Sequence, residues 1–164
     1  MVILLLFQLN AATTAGAQVF EKGTKVVDAG LEITESGVTS IVPVFGDFEM
    51  GVTDDIGVGA RVRFWTKNSV NSFMLQPTAS YHFNRLLNLP VEQLDLFASV
   101  GIGYQRLSSH GISFSGFAFS PFAGGRYYFT ERVGALAKLG FDLNNYEGIS
   151  STNFNFTIGV ALKF

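Results

Sequence analysis

The sequence predicts an all-β chain that closes as an eight-stranded antiparallel up-and-down transmembrane β-barrel. Three observations carry this. Hydrophobic residues make up 48% of the 164 residues and charged residues only 15%, against roughly 25% charged in an average soluble domain. Glycine (18) and phenylalanine (17) are both abundant, which disfavours helix and suits strands. After residue 9 no apolar run approaches the roughly 18 residues of a spanning helix. The chain instead divides into eight stretches of period-2 alternation separated by polar turns.

Residues 1–17 differ from the rest. Met1 to Phe7 is an apolar run, and Ala15-Gly16-Ala17 fits the small-x-small rule for signal peptidase, with cleavage before Gln18. This predicts a signal peptide over 1–17 and a barrel domain over 18–164. The leader carries no Lys or Arg ahead of its apolar run, as a shifted start codon would leave it.

The eight segments are Thr24–Ile33, Ser40–Val52, Ile56–Trp65, Ser72–Phe83, Asp95–Gln105, Phe114–Phe129, Val133–Leu143 and Thr152–Phe164. Segment three shows the pattern: Val58, Ala60, Val62 and Phe64 alternate with Gly57, Gly59, Arg61 and Arg63. Segment eight is the most regular, with Phe154, Phe156, Ile158, Val160, Leu162 and Phe164 on one face. Most segments run to 10 or more residues, which suits a tilted strand crossing a bilayer, whereas strands of soluble proteins average about 5 or 6. An even number of strands returns both termini to one side. The turns Thr53–Asp55 and Thr130–Arg132 lie on that side, with the longer Asn84–Leu94 connection and its short helical turn. Thr34–Thr39, Lys67–Asn71, Arg106–Ser113 and Asn144–Ser151 become solvated loops on the other.

Side-chain size decides which face points outward. The apolar faces carry Phe48, Phe64, Phe73, Phe117, Phe141, Phe154 and Phe156, more ring volume than an eight-stranded interior holds. The polar faces are rich in Gly, Ser, Thr and Ala with isolated charges, which a narrow lumen accepts. The inward charges are then Asp28, Glu32, Asp47, Glu49, Asp95 and Asp142 against Arg61, Arg63, Arg126, Lys138 and Lys163. An ion buried without a partner costs several kcal/mol. A lumen ion-pair network is therefore expected among Glu32, Asp47, Glu49, Arg61, Arg63, Arg126, Lys138 and Asp142, with the pairings open. Aromatic belts are expected at Phe83, Phe129 and Phe164 on one side and at Phe64, Trp65, Phe73, Tyr104 and Phe154 on the other. Pro77 and Pro121, which cannot donate to a ladder, would loosen the wall.

The stretch Asn153 to Phe164 resembles the C-terminal signature of outer-membrane proteins, and Gly51-Val-Thr-Asp-Asp-Ile-Gly-Val-Gly59 is similar to hairpins of the same group. From Thr24 onward the chain looks like the small eight-stranded barrels of the OmpA transmembrane domain and OmpX family. The resemblance implies location in the outer membrane of a Gram-negative cell, contact with outer-membrane lipid and lipopolysaccharide, and reading of Phe164 by the barrel-assembly machinery. It leaves activity open, because members differ widely in role.

Little points to chemistry. Net charge is −2, so there is no basic field for nucleic acid. The chain has no cysteine, hence no disulfide or thiolate metal site. His82 and His110 fall at opposite ends of the barrel, so no metal or other cofactor is expected. Lipid A deacylases of this architecture carry a His-x-Ser pair, which neither His82-Phe-Asn84 nor His110-Gly-Ile112 supplies. The expected role is a non-enzymatic barrel with a side-chain-filled lumen and a structural or surface-interaction function through its external loops. The alternative is a narrow channel or OmpW-like transporter of small hydrophobic molecules; a lipid A-modifying hydrolase stands well behind both.

Overall fold

The computed structural model describes residues 19–36, 39–88, 91–146 and 148–164; the predicted leader and its cleavage point lie outside them. The strands are β1 (Lys25–Ser36), β2 (Thr39–Ile41), β3 (Val44–Gly51), β4 (Ile56–Lys67), β5 (Val70–His82), β6 (Leu94–Ser109), β7 (Ile112–Tyr128), β8 (Val133–Tyr146) and β9 (Ile149–Lys163), with one helical turn, α1 (Asn84–Leu87), between β5 and β6. Every neighbouring pair is antiparallel, and β1 pairs with β9 to close the barrel.

β2 and β3 form one strand of the wall. Thr34 pairs with Ile41 and Leu31 with Val44 in one continuous register. The interruption falls at Val42–Pro43, where the ring nitrogen of Pro43 has no proton to donate. The Pro43 carbonyl still accepts from the Glu32 N–H at 2.9 Å. The wall therefore has eight strands, spaced as the alternation predicts.

Alternation sets the two surfaces. Along β8, Val133, Leu139, Phe141 and Leu143 point outward and are exposed, while Leu136, Lys138, Asp142 and Asn144 point inward and are buried. All seven phenylalanines assigned to lipid by size lie outside, none less than 36% exposed. The apolar surface faces out and the polar surface in, inverted from a soluble barrel and matched to hydrocarbon. Trp65 departs from the expected belt: between outward Phe64 and Thr66, it turns inward opposite Ser72.

The connections at the end bearing Phe164 are tight. In Thr53–Ile56 the Thr53 hydroxyl accepts from the Ile56 N–H at 2.9 Å, and Thr130 does the same for Val133 at 2.9 Å. At the opposite end the structure corrects three expected loops. Lys67–Asn71 and Arg106–Ser113 shrink to two-residue turns, Asn68–Ser69 and His110–Gly111, with all four residues at positive φ. That is the conformation that matches the twist of paired strands. Asn144–Ser151 is likewise mostly strand. These hairpins look like loops in sequence because their polarity reverses: outward positions become Thr66, Asn71, Arg106, Ser108, Ser113, Ser115 and Asn145, and inward ones Trp65, Val70, Leu107, Phe114 and Ile112. Beyond the bilayer the outside meets water, so the lipid-facing rule no longer applies.

The closure seam depends on two glycines in register, Gly30 on β1 and Gly159 on β9. A Cβ at Gly30 would collide with the Ile158 carbonyl oxygen, and one at Gly159 with that of Ala29. Gly159→Val should therefore destabilise the folded barrel by about 1–3 kcal/mol, read as a lowered urea midpoint in lipid vesicles with heat-modifiable gel migration following folding.

Candidate functional site: the ionic lumen

The interior is the most chemically dense region of the molecule. Strands β1, β3, β4, β6, β7 and β8 direct charged residues into it, and its glycines leave room for long side chains. A Cβ at Gly57, for example, would occupy the place of the Glu49 carboxylate and the Ser80 hydroxyl.

The charges form three layers. Nearest the termini, Arg126 is held by three carboxylates: Nη2 lies 2.8 Å from Asp28 Oδ2 and 2.6 Å from Glu49 Oε2, and Nη1 lies 3.0 Å from Asp95 Oδ2. Its guanidinium carbon sits 4.3 Å from the Phe97 ring centre. His82 completes this layer, with Nδ1 2.7 Å from Asp95 Oδ1 and Nε2 3.2 Å from Glu49 Oε1. Both ring nitrogens face carboxylate oxygens.

In the middle layer Arg61 grips Asp47 with two parallel bonds, Nε–Oδ1 at 2.8 Å and Nη2–Oδ2 at 3.0 Å. This planar fork is the strong form of the interaction. Lys138 pairs with the same carboxylate. The Phe122 ring centre lies 3.9 Å from the Arg61 guanidinium carbon, and that of Phe45 4.7 Å from Lys138 Nζ. In the third layer Arg63 bridges Glu32 and Asp142, the latter at 2.5 Å. Thr34 and Thr157 donate to Glu32 at 3.1 and 3.2 Å, and Ser120 donates to Asp142 at 2.5 Å.

All eight residues assigned to the lumen network from the sequence thus lie inside, and every one has an oppositely charged partner. Lys163 stands apart, half-buried with Nζ 5.0 Å from the Tyr128 ring centre. Asp28 and Asp95, placed inward but left out of the network, are central to the Arg126 layer. His82, inward by its register near the end of its strand, joins the layer through its contacts with Asp95 and Glu49. Its contact with Asp95, which lies in the neighbouring strand, is the part the sequence reading did not supply. The inward ring Phe45 falls on the polar face of its segment beside Asp47 and Glu49, whereas Phe97 and Phe122 are inward rings that the alternation was not used to place.

The end near the termini is stoppered by the chain itself. Glu21 to Thr24 turns back under the barrel, tied by Gly23 N–H to the Gly51 carbonyl at 2.8 Å and Gly51 N–H to the Thr24 carbonyl at 2.8 Å. This carries Phe20 inside, 1% exposed, where it stacks on His82 at 3.4 Å between ring centres. Its proximity to the boundary of the predicted leader hid this role. A cavity of about 20 Å³ remains between the layers, lined in part by Asp47, Glu49, Arg61, Ser80 and Arg126. That is room for roughly one water molecule.

Removing Arg126 would leave three buried carboxylates facing one another. Arg126→Met should cost about 3–5 kcal/mol of folding free energy, the usual consequence of breaking a buried ion pair on one side. The checking measurement is equilibrium unfolding in lipid vesicles beside Arg132→Met, an exposed position that should change little.

No family model matches the chain, and no curated protein sequence matches it either. Solved structures do. The N-terminal β-barrel domain of Pseudomonas aeruginosa OprF superposes with a TM-score of 0.65 at 20% identity, over 87% of this chain and 98% of that one. Neisserial surface protein A gives 0.68 at 12% identity, over 86% and 96%. The outer membrane protein OprG of Pseudomonas aeruginosa gives 0.61 at 9% identity, over 90% and 99%. The fold is that of small eight-stranded outer-membrane β-barrels.

Proposed function

We propose that this chain is a non-enzymatic β-barrel of the outer membrane, serving a structural or surface-interaction role rather than acting as a conduit. The observation that carries this reading is the filled lumen: three ionic layers cross the interior and Phe20 closes one end. Eight strands leave no aqueous column once the interior is packed. The outward apolar band would contact outer-membrane lipid and lipopolysaccharide, and the protruding polar hairpins would meet external partners. Phe164, 72% exposed at the end of the last strand, would serve the assembly machinery as its recognition residue.

Ser80, His82 and Asp95 stand in the order of a nucleophile, base and orienting acid, with Ser80 Oγ 3.4 Å from His82 Nε2 and Asp95 2.7 Å from Nδ1. The arrangement does not favour hydrolysis. Glu49 accepts the Ser80 hydroxyl and competes for His82 Nε2, Phe20 covers the imidazole, and the adjoining cavity is too small for a substrate. The triad reads as lumen packing.

One feature favours the second reading, passage of small hydrophobic molecules through the wall. The β5–β6 ladder lacks its rungs between Leu75–Tyr104 and Thr78–Gly101, beside Pro77, and the β7–β8 ladder lacks those between Phe119–Leu143 and Phe122–Gly140, beside Pro121. Planar-bilayer recording decides whether the lumen conducts: the filled-lumen reading expects no stable open current, and a sustained ohmic conductance contradicts it. For the assembly role, deleting Phe164 should lower the assembled fraction in cells severalfold while leaving refolding into lipid vesicles intact. Equal loss in both assays would make Phe164 a stability residue only.

A further inference from the structure

The lipid-facing wall changes character near the end opposite the termini, and β6 marks the level. Its outward positions Leu96, Ala98, Val100, Ile102 and Tyr104 are apolar or aromatic, a run that matches the roughly 9–11 residues a tilted strand needs to cross a bilayer. Arg106 is the next outward residue. Its cross-strand partners are Phe73 and Ser115. The row towards the membrane centre is Leu75, Tyr104 and Phe117, and the row away from it is Asn71, Ser108 and Ser113. Arg106 therefore stands where hydrocarbon gives way to headgroups.

Hydroxyls surround it. Arg106 Nη2 donates to Ser113 Oγ at 3.0 Å, Ser108 and Ser113 share a bond at 3.1 Å, and Tyr104 and Ser115 share one at 2.8 Å. Arg61, Arg63, Arg85 and Arg126 each have a carboxylate partner. Among the described residues Arg106 has none, and β4 to β7 offer none at this level: Asp and Glu are absent from 56–91 and again from 96–130. Glu35, an outward acid at this end, is on β1, directly across the barrel in the strand order. One side of the outer rim thus presents an unneutralised guanidinium, most of whose N–H donors lack a protein acceptor.

We propose that Arg106, with the hydroxyls of Tyr104, Ser108, Ser113 and Ser115, forms a surface site for a phosphate monoester of lipopolysaccharide, carried by its lipid A moiety. The inference rests on the outer-membrane reading above, which supplies the lipid but no residue that recognises it. A phosphate monoester brings nearly two negative charges and three acceptor oxygens, enough to engage a planar guanidinium fork and neighbouring hydroxyls together. The phosphodiester of an ordinary phospholipid has a single charge and fewer free oxygens, so it gains less from the same donors. Leu75, Tyr104 and Phe117 offer the adjoining wall along which acyl chains would lie.

The folded protein is placed in phosphatidylcholine nanodiscs doped with diphosphoryl lipid A, dephosphorylated lipid A or phosphatidylglycerol, and native mass spectrometry counts the lipid that stays on the barrel. Diphosphoryl lipid A should be retained over both other lipids. Arg106→Gln should weaken that retention by about tenfold, as loss of a charge-assisted hydrogen bond implies, and Arg132→Gln, at the opposite end, should leave it unchanged. Arg106→Lys, which keeps the charge without the fork, should fall between wild type and Arg106→Gln. Heat-modifiable migration verifies that each variant is folded. In ¹⁵N-labelled wild-type protein, lipid A should also shift the Arg106 Nε–H resonance and leave that of Arg132 in place. Equal retention by wild type and folded Arg106→Gln overturns the proposal. So does phosphatidylglycerol held as tightly as diphosphoryl lipid A, which would make Arg106 a general interfacial anchor. Either result leaves the filled-lumen reading standing, since that reading is decided by conductance.

Discussion

Eight strands enclose a space that side chains fill and bulk water does not, and the rest of the structure depends on that constraint. A charge directed into such a space meets other side chains, not solvent, and must be matched by them or be expelled. Arg126 shows the outcome at its densest, one guanidinium against three carboxylates with an aromatic ring over its face. The strand register, the lumen glycines and the placement of bulky rings on the lipid side all follow from making room for these contacts. The lipid outside enforces the same arrangement from the other direction, since a charge turned outward there would lose its partner and gain hydrocarbon.

The ionic layers also explain why the wall tolerates its weak points. The ladders beside Pro77 and Pro121 lack rungs, and the second strand is interrupted at Pro43. Pairings across the lumen, such as Arg126 with Asp28 over 98 residues of chain and Lys138 with Asp47 over 91, tie distant strands together irrespective of their neighbours. The stopper formed by Phe20 joins the same system by stacking on His82. The N-terminal turn is thereby coupled to the Arg126 layer.

The alternation of apolar and polar residues made the wall legible in the sequence, because a strand buried against lipid on one face must repeat every second residue. It assigned Arg61 and Arg63 inward and Phe64 outward. By the same count it placed Trp65 inward, which the general preference of tryptophan for interfaces obscured. The pairings were not legible, because partners across a barrel depend on tilt and stagger rather than on spacing along the chain. Nor were the external hairpins: Arg106 to Ser113 reads as a loop when polar residues are taken to mean a solvated connection. It is strand because its polarity reverses at the bilayer surface and its turn residues accept positive φ. Phe20 escaped notice because a single aromatic ahead of the first alternating segment has no periodic context.

A dry, mutually paired lumen is the centre of this account, and exchange of the arginine Nε protons with solvent measures it most directly. In nanodiscs transferred to deuterium oxide, the Nε–H signals of Arg61 and Arg126 in a ¹⁵N-labelled sample should persist long after those of exposed Arg106 and Arg132 have gone. Loss of all four at a common fast rate would mean that water occupies the interior, and the lumen would then be a channel lined with solvated charges.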